Sequence, residues 1–90
     1  MKENIFRNRI LEEFRYTGRT LLSFQELWKI CHPMRNNFPE PLDTTKKFIR
    51  ELLKTIHFLE NDGIVRVHTK DMGNKVSHIT ITSEGMMQIK

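Results

Sequence analysis

One amphipathic stretch, residues 44–62, constrains the fold of this 90-residue chain more than any other feature. Its apolar residues recur at steps of three and four: Phe48, Ile49, Leu52, Leu53, Ile56 and Leu59. That spacing predicts an α-helix over 44–61 with one apolar stripe and a mostly cationic opposite side. We expect Asp43 to cap the N-terminus of this helix and Gly63, with a positive φ, to end it. The other elements are then expected to pack against the apolar stripe.

Two shorter helices are predicted before this one. Residues 4–16 repeat apolar side chains at helical spacing, and Thr17-Gly18 is expected to end that helix. Residues 19–22 form a short extended link. Ser23 and Glu26 then stand in the S-x-x-E arrangement of a capping box, which predicts a helix over 24–31.

A proline-rich connection, residues 32–42, separates the second helix from the third. Its three prolines remove backbone donors and favour extended neighbours, so we expect an irregular connection. Met34, Phe38 and Leu42 are available to fix it to the core.

A β-hairpin is predicted over residues 64–82, because two runs of alternating apolar and polar residues flank the turn-rich stretch 71–75. Placing Val65 opposite Ile81 and Val67 opposite Ile79 puts all four on one face. That register leaves 72–74 as the loop, with Gly73 or Asn74 in the left-handed region. A short turn or helix over 83–90 completes a single domain, 1–90.

Composition restricts the function. Fifteen Lys and Arg against eleven Asp and Glu give a net charge of +4, which favours a polyanionic partner, nucleic acid before an anionic membrane. The sequence contains no apolar run of about 18 residues, so we expect no membrane span. The charged first residues do not resemble a signal peptide, and Cys31 stands alone, so we expect a reducing cytoplasm and a small buried thiol.

Catalytic and metal-binding motifs are absent from the sequence. No nucleophile elbow, phosphate-binding glycine loop or H-E-x-x-H helix is present, so we expect neither an enzyme nor a small-molecule substrate. The four His and one Cys lack zinc-site spacing, and we expect no cofactor or metal. His68 and His78, cross-strand neighbours in the predicted register, are the one pair to test.

Two residues on the polar side of the third helix need a partner. Glu51 would repel phosphate; we expect an ion pair with Lys47 or Lys54, and a contact to cytosine is the alternative. Phe58 is expected to be covered by the hairpin or the C-terminal segment, or else to contribute to a subunit interface.

Two sequence runs resemble a known family. Residues 58–65 (FLENDGIV) look like the end of the recognition helix of winged helix-turn-helix domains and its turn into the wing. Residues 79–85 (ITITSEG) resemble the hydrophobic-x-hydrophobic-Thr-x-x-Gly exit from that wing. The resemblance implies an α+β winged helix-turn-helix fold: a three-helix core, a short first strand and a C-terminal two-stranded wing. The proline-containing connection and the short C-terminal segment are departures from the pattern.

The resemblance also implies binding to double-stranded DNA, with the third helix in the major groove and the wing on the flanking backbone or in the minor groove. Side chains near the start of such a helix reach base edges, and Arg50 suits a bidentate contact to guanine. The predicted DNA-binding residues are Thr44, Thr45, Lys46, Lys47, Arg50, Lys54, Lys70, Asn74 and Lys75.

The expected biological role is a transcriptional regulator acting as a homodimer. A replication or partition factor would use the same contacts. The alternative from another class is a protein-interaction adaptor, with Phe58, Met72 and Met34 as anchors.

Overall fold

Four α-helices and a three-stranded antiparallel sheet make up residues 4–89, the part of the chain that the computed structural model describes. In chain order they are α1 Ile5–Thr17, β1 Leu21–Ser23, α2 Phe24–Cys31, α3 Thr45–Asn61, β2 Val65–Lys70, β3 Lys75–Ile81 and α4 Ser83–Ile89. The α+β class and the predicted order of elements are confirmed. Residues 1–3 and 90 of the predicted domain lie outside the described residues.

Helix α1 lies one residue later at each end than the predicted 4–16, and α2 has the predicted bounds, 24–31. Asn4 caps α1 by accepting a hydrogen bond from the Arg7 amide at 3.0 Å, and Gly18 ends it with φ of 69°. Ser23 and Glu26 form both bonds of the capping box, at 3.1 and 3.2 Å, so that prediction is confirmed.

The predicted cap of α3 is wrong by one residue. Thr44, not Asp43, is the N-cap, and its hydroxyl accepts a hydrogen bond from the Lys47 amide at 3.2 Å. Asp43 lies too early to reach that amide, and its carboxylate instead accepts from Lys47 Nζ at 3.0 Å. At the other end, Gly63 has the predicted positive φ, 75°.

The core forms where the apolar stripe of α3 meets α1, α2 and the sheet. Phe48, Leu52, Ile56 and Leu59 of α3 are buried, and Phe48 meets Phe6 edge to face at 5.4 Å. Cys31 is fully buried, as predicted, and this burial raises the pKa of its thiol to about 12. A thiol with that pKa stays protonated and unreactive at neutral pH.

The connection between α2 and α3 is more regular than predicted. His32–Asn37 forms a 3₁₀ helix that starts directly after α2 and has Pro33 in its first turn, where a missing N–H is tolerated. The Leu42 amide donates to the Arg35 carbonyl at 3.0 Å and closes the rest of the connection. As expected, Met34, Phe38 and Leu42 pack against the core.

The sheet has the strand order β1-β3-β2. The predicted register is confirmed for Val65 with Ile81 and Val67 with Ile79. It then shifts between His68 and Thr69, so Thr69 pairs with Val76 and Ser77 becomes the extra residue of a bulge. The predicted loop 72–74 is therefore wrong: strand pairing ends at Lys70 and Lys75, and the loop is 71–74.

One threonine joins the α3–β2 turn to α4. The Thr82 hydroxyl donates to the carbonyls of Gly63 and Ile64, at 2.6 and 3.0 Å, and accepts from the Gly85 amide at 3.0 Å. A Cβ at Gly85 would collide with the Ile64 carbonyl oxygen, so only glycine allows α4 to approach this closely. Thr82 and Gly85, which the sequence marks as a motif, thus hold the junction between α3, the hairpin and α4.

Candidate nucleic-acid interface

A column of three cations lies along the N-terminal half of α3. Lys46, Arg50 and Lys54 are exposed and four residues apart, so they share one side of the helix; we call them the basic column. Within residues 4–89, Lys46 and Arg50 take part in no ion pair, and Lys54 lies over the Phe58 ring at 5.9 Å. Like charges at this spacing repel one another, so the column destabilises the isolated helix.

The positive charge of the first turn of α3 is also unfavourable for the helix. The first turn contains Lys46 and Lys47 and no acidic residue, and the last turn contains no basic one. Helix N-termini favour negative charge, because the backbone dipole places partial positive charge there. An anionic ligand at this end would therefore be attracted by both the side chains and the helix.

Lys47 differs from the basic column because it already has a partner. Its ammonium lies 3.0 Å from Asp43, and this hydrogen bond, with the positive charge of Lys47, lowers the pKa of the Asp43 carboxyl. The expected ion pair of Glu51 with Lys47 or Lys54 is wrong: among the described residues Glu51 forms none. Lys47 pairs instead with Asp43, four residues earlier in the chain.

The two threonines at the start of α3, Thr44 and Thr45, do not lie in line with the basic column. The Thr44 hydroxyl is used as the helix cap and still has its own proton to donate. Thr45 lines a small polar recess with His32 and Arg35, about 100° around the helix from Lys46.

Arg35 is a neighbour of this site that the sequence did not mark. Its guanidinium donates to the His32 carbonyl at 2.9 Å, and its side chain lines the same recess as Thr44 and Thr45. The 3₁₀ helix places it there, and no periodicity in the sequence predicts that turn.

A second group of cations lies at the hairpin tip. Lys70 and Lys75 are directly opposite each other in the β2–β3 ladder, an arrangement that destabilises a sheet. Asp71 offsets part of this repulsion at 3.9 Å from Lys75. Asn74 is exposed beside them, and its backbone amide donates a hydrogen bond to the Asp71 carbonyl at 3.2 Å. The structure thus brings the predicted hairpin residues together at one tip.

The hairpin does not continue along the line of α3. The helix is about 25 Å long and the hairpin about 20 Å, whereas the longest dimension of the molecule is 34 Å. The two elements are therefore inclined to each other around the turn at Gly63, which Thr82 holds.

Phe58 does not lie where the sequence predicted. Neither the hairpin nor the C-terminal segment covers it; 48% of the residue is exposed. It lines an open groove whose other residues are both apolar and polar: Asn4, Ile5, Phe38, Pro39, Glu51 and Lys54. An apolar ring at the edge of a basic surface is thus available to a partner.

The two histidines of the hairpin are stacked cross-strand neighbours, as the register predicted. Their rings lie 4.3 Å apart and nearly parallel, and each has a hydroxyl neighbour at 3.0 Å: Thr80 for His68 and Ser77 for His78. Across residues 4–89, no three His, Cys, Asp or Glu side chains are grouped so that they could hold a metal ion.

None of the helices within the described range is both long and apolar enough to cross a membrane. Comparisons with models of protein families, with curated proteins and with solved structures give no match for this chain. What the chain does is therefore inferred from its own residues.

Proposed function

We propose that this chain is a winged-helix protein that binds double-stranded DNA in a sequence-specific manner. In this proposal α3 enters the major groove, and the hairpin tip, residues 70–75, contacts the flanking backbone. The proposed biological role is transcriptional regulation by a homodimer, in which two copies would roughly double the number of phosphate contacts.

The observation that supports this proposal best is the charge of the first half of α3. Lys46, Arg50 and Lys54 repel their neighbours in the column, and Lys46 and Lys47 oppose the helix dipole in the first turn, so these charges are unfavourable for the helix. Local rules of this kind are broken in natural proteins chiefly at functional sites. A DNA phosphate backbone would offset both the repulsion between the cations and their opposition to the helix dipole, because it supplies the negative charge that the start of the helix lacks.

The separate residues suit separate contacts. The Arg50 guanidinium has the planar, forked geometry that binds guanine O6 and N7. Lys46, Lys47, Lys54 and the hydroxyls of Thr44 and Thr45 suit phosphate oxygens, as do Lys70, Asn74 and Lys75 at the hairpin tip.

Titration of a fluorescent duplex at several salt concentrations tests the proposal. The affinity should fall steeply with salt, with log K decreasing by about 0.9 per log unit of salt for each neutralised phosphate. Selection of bound duplexes from a random pool should enrich one sequence, palindromic if a dimer binds. A flat salt response would remove the electrostatic basis, and a pool without enrichment would exclude sequence-specific regulation.

A protein-interaction adaptor is the second candidate, and the exposed Phe58 groove is the observation that favours it. Met34, one of its expected anchors, packs against the core and is not free for a partner. Retention on heparin separates the two candidates: a DNA-binding protein with a concentrated basic surface should elute at high salt, and an adaptor should elute early.

A further inference from the structure

Met72 is more exposed than any other large apolar side chain within residues 4–89, at 103% of its reference area. It lies at the tip of the β2–β3 hairpin, where no other part of the described chain covers it. An apolar side chain at this distance from the core contributes little to folding and is free to contact a partner.

The backbone at this tip is unusual. Asp71 and Met72 have φ of 54° and 57°, a region that side-chain-bearing residues rarely adopt, and Gly73 follows with φ of 92°. Two turn hydrogen bonds of 3.2 Å, from the Gly73 amide to Lys70 and from the Asn74 amide to Asp71, hold this shape. Strained backbone of this kind is concentrated at functional sites.

The neighbours of Met72 indicate what kind of partner it would contact. Lys70 and Lys75 flank the loop 71–74 and Asn74 lies within it, so the methionine is surrounded by two cations and a side-chain amide. Cations and amides suit a polyanion, but the methionine needs an apolar surface within that polyanion. The stacked bases of DNA provide one, and methionine is among the residues that enter between base steps from the minor groove.

We propose that Met72 is a wedge that inserts between two base pairs in the minor groove, beside the segment contacted by α3, and unstacks them. This proposal rests on the proposed DNA binding. The unbranched, flexible methionine side chain is narrow enough to enter a base step, and the positive-φ loop presents it beyond the two lysines. An anionic membrane is less suitable, because one methionine buries too little apolar surface to anchor a protein there.

The test uses the full chain and a duplex recovered from the selection described above. The fluorescent base 2-aminopurine is placed in turn at each position flanking the α3 segment, and its emission is measured at saturating protein. Emission should rise at one flanking step with the native chain and with Met72→Leu. It should not rise with Met72→Ser, whose affinity should fall by less than about tenfold because burial of the wedge is offset by unstacking.

Lys75→Ala is the matched control at the same tip. It should weaken binding but keep the emission change once the duplex is saturated, because it removes a phosphate contact and leaves the wedge. Circular dichroism of each variant should match the native chain, since Met72 and Lys75 are exposed.

The other outcomes overturn the proposal in distinguishable ways. Equal emission with the native chain and Met72→Ser, or no rise at any flanking step, would exclude the wedge and leave DNA binding intact. Failure to bind any duplex would overturn both proposals. Binding to phosphatidylserine vesicles that Met72→Ser abolishes, without duplex binding, would assign the tip to a membrane surface instead.

Discussion

Helices α2 and α3 are neighbours in sequence but have opposite charge arrangements. Helix α2 has Glu26 in its first turn and Lys29 in its last, so both ends complement its dipole, and a complete capping box starts it. Helix α3 has a single threonine cap, two lysines in its first turn and no basic residue in its last. The charges of α2 thus stabilise their helix, whereas those in the first turn of α3 do not.

The hairpin tip resembles α3 in this respect. Lys70 and Lys75 face each other across the ladder. Elsewhere in residues 4–89, Arg19 forms an ion pair with Glu26 and Arg9 lies 2.9 Å from Glu13, while the remaining cations form no ion pair but have no like charge opposite them in a strand or four residues away in a helix. Like charges are thus placed next to one another on the two elements proposed to contact DNA.

The largest effect is expected from Lys46→Glu. The new carboxylate complements the helix dipole and can pair with Arg50 four residues on, so the free energy of unfolding should rise by about 0.5–1.5 kcal/mol. DNA affinity should fall by about 100-fold, because one phosphate contact is lost and a second cation is neutralised. Urea denaturation and duplex titration measure the two changes.

Lys29→Glu in α2 is the matched control, since it changes the net charge of the chain equally. It should lower the unfolding free energy by about 0.3–1 kcal/mol, because it places an acid at a helix C-terminus. Its duplex affinity should change far less than that of Lys46→Glu. Equal losses of affinity in the two variants would mean that only total charge matters.

Arg50→Ala and Lys75→Ala sharpen the distinction between α3 and the hairpin. Loss of Arg50 should reduce discrimination at one base pair by about 1–3 kcal/mol, whereas loss of Lys75 should weaken all sequences alike. Affinities for the selected and a random duplex measure this difference. Parallel losses on both duplexes for both variants would contradict the division of roles.

The two caps provide a smaller effect. Ser23→Ala and Thr44→Ala should each lower the unfolding free energy by about 0.5–2 kcal/mol, because each leaves a helix-start amide without its acceptor. Only Thr44→Ala should also lower duplex affinity, since its hydroxyl proton is available to a phosphate. If Thr44→Ala leaves duplex affinity unchanged under conditions where both variants are fully folded, Thr44 acts only as the helix cap and does not contact phosphate.

The smallest effect is expected from Asp43→Asn, which frees Lys47 for a phosphate. Duplex affinity should rise by less than about tenfold. Because the pKa of Asp43 is lowered, the ion pair persists above the ordinary carboxyl pKa and is lost only as pH falls through the depressed value. Near neutral pH the gain should therefore not depend on pH. A decrease in affinity would show that Asp43 positions Lys47 rather than competing for it.

Much of the fold could be predicted because its signals are local. The capping box at Ser23, the glycine stops at Gly18 and Gly63, and the alternation in the hairpin each depend on a few adjacent residues. The pairing of Val65 with Ile81 follows from keeping both on the buried face. These signals depend little on the rest of the molecule.

The errors occurred where distant parts of the chain decide the local structure. The connection after α2 is held by the packing of Phe38 on Phe6 at 4.8 Å and by the hydrogen bond from the Leu42 amide to the Arg35 carbonyl, contacts that no short window of the sequence predicts. The bulge at Ser77 shifts the hairpin loop by one residue, and alternation alone does not predict it. Of the site residues, the exposed cations on α3 follow from helical spacing, whereas the position of Arg35 depends on the geometry of the connection. The Lys47–Asp43 pair is local, four residues apart, and was missed because Asp43 was assigned to the helix cap.

The hydroxyl of Thr82 attaches the hairpin to α3 and α4 by side-chain hydrogen bonds as well as by the backbone. The angle at which β2 leaves α3 is therefore set when the chain folds, before any partner arrives. A partner that contacts both elements would have to fit that angle, so its shape would matter as well as its charge.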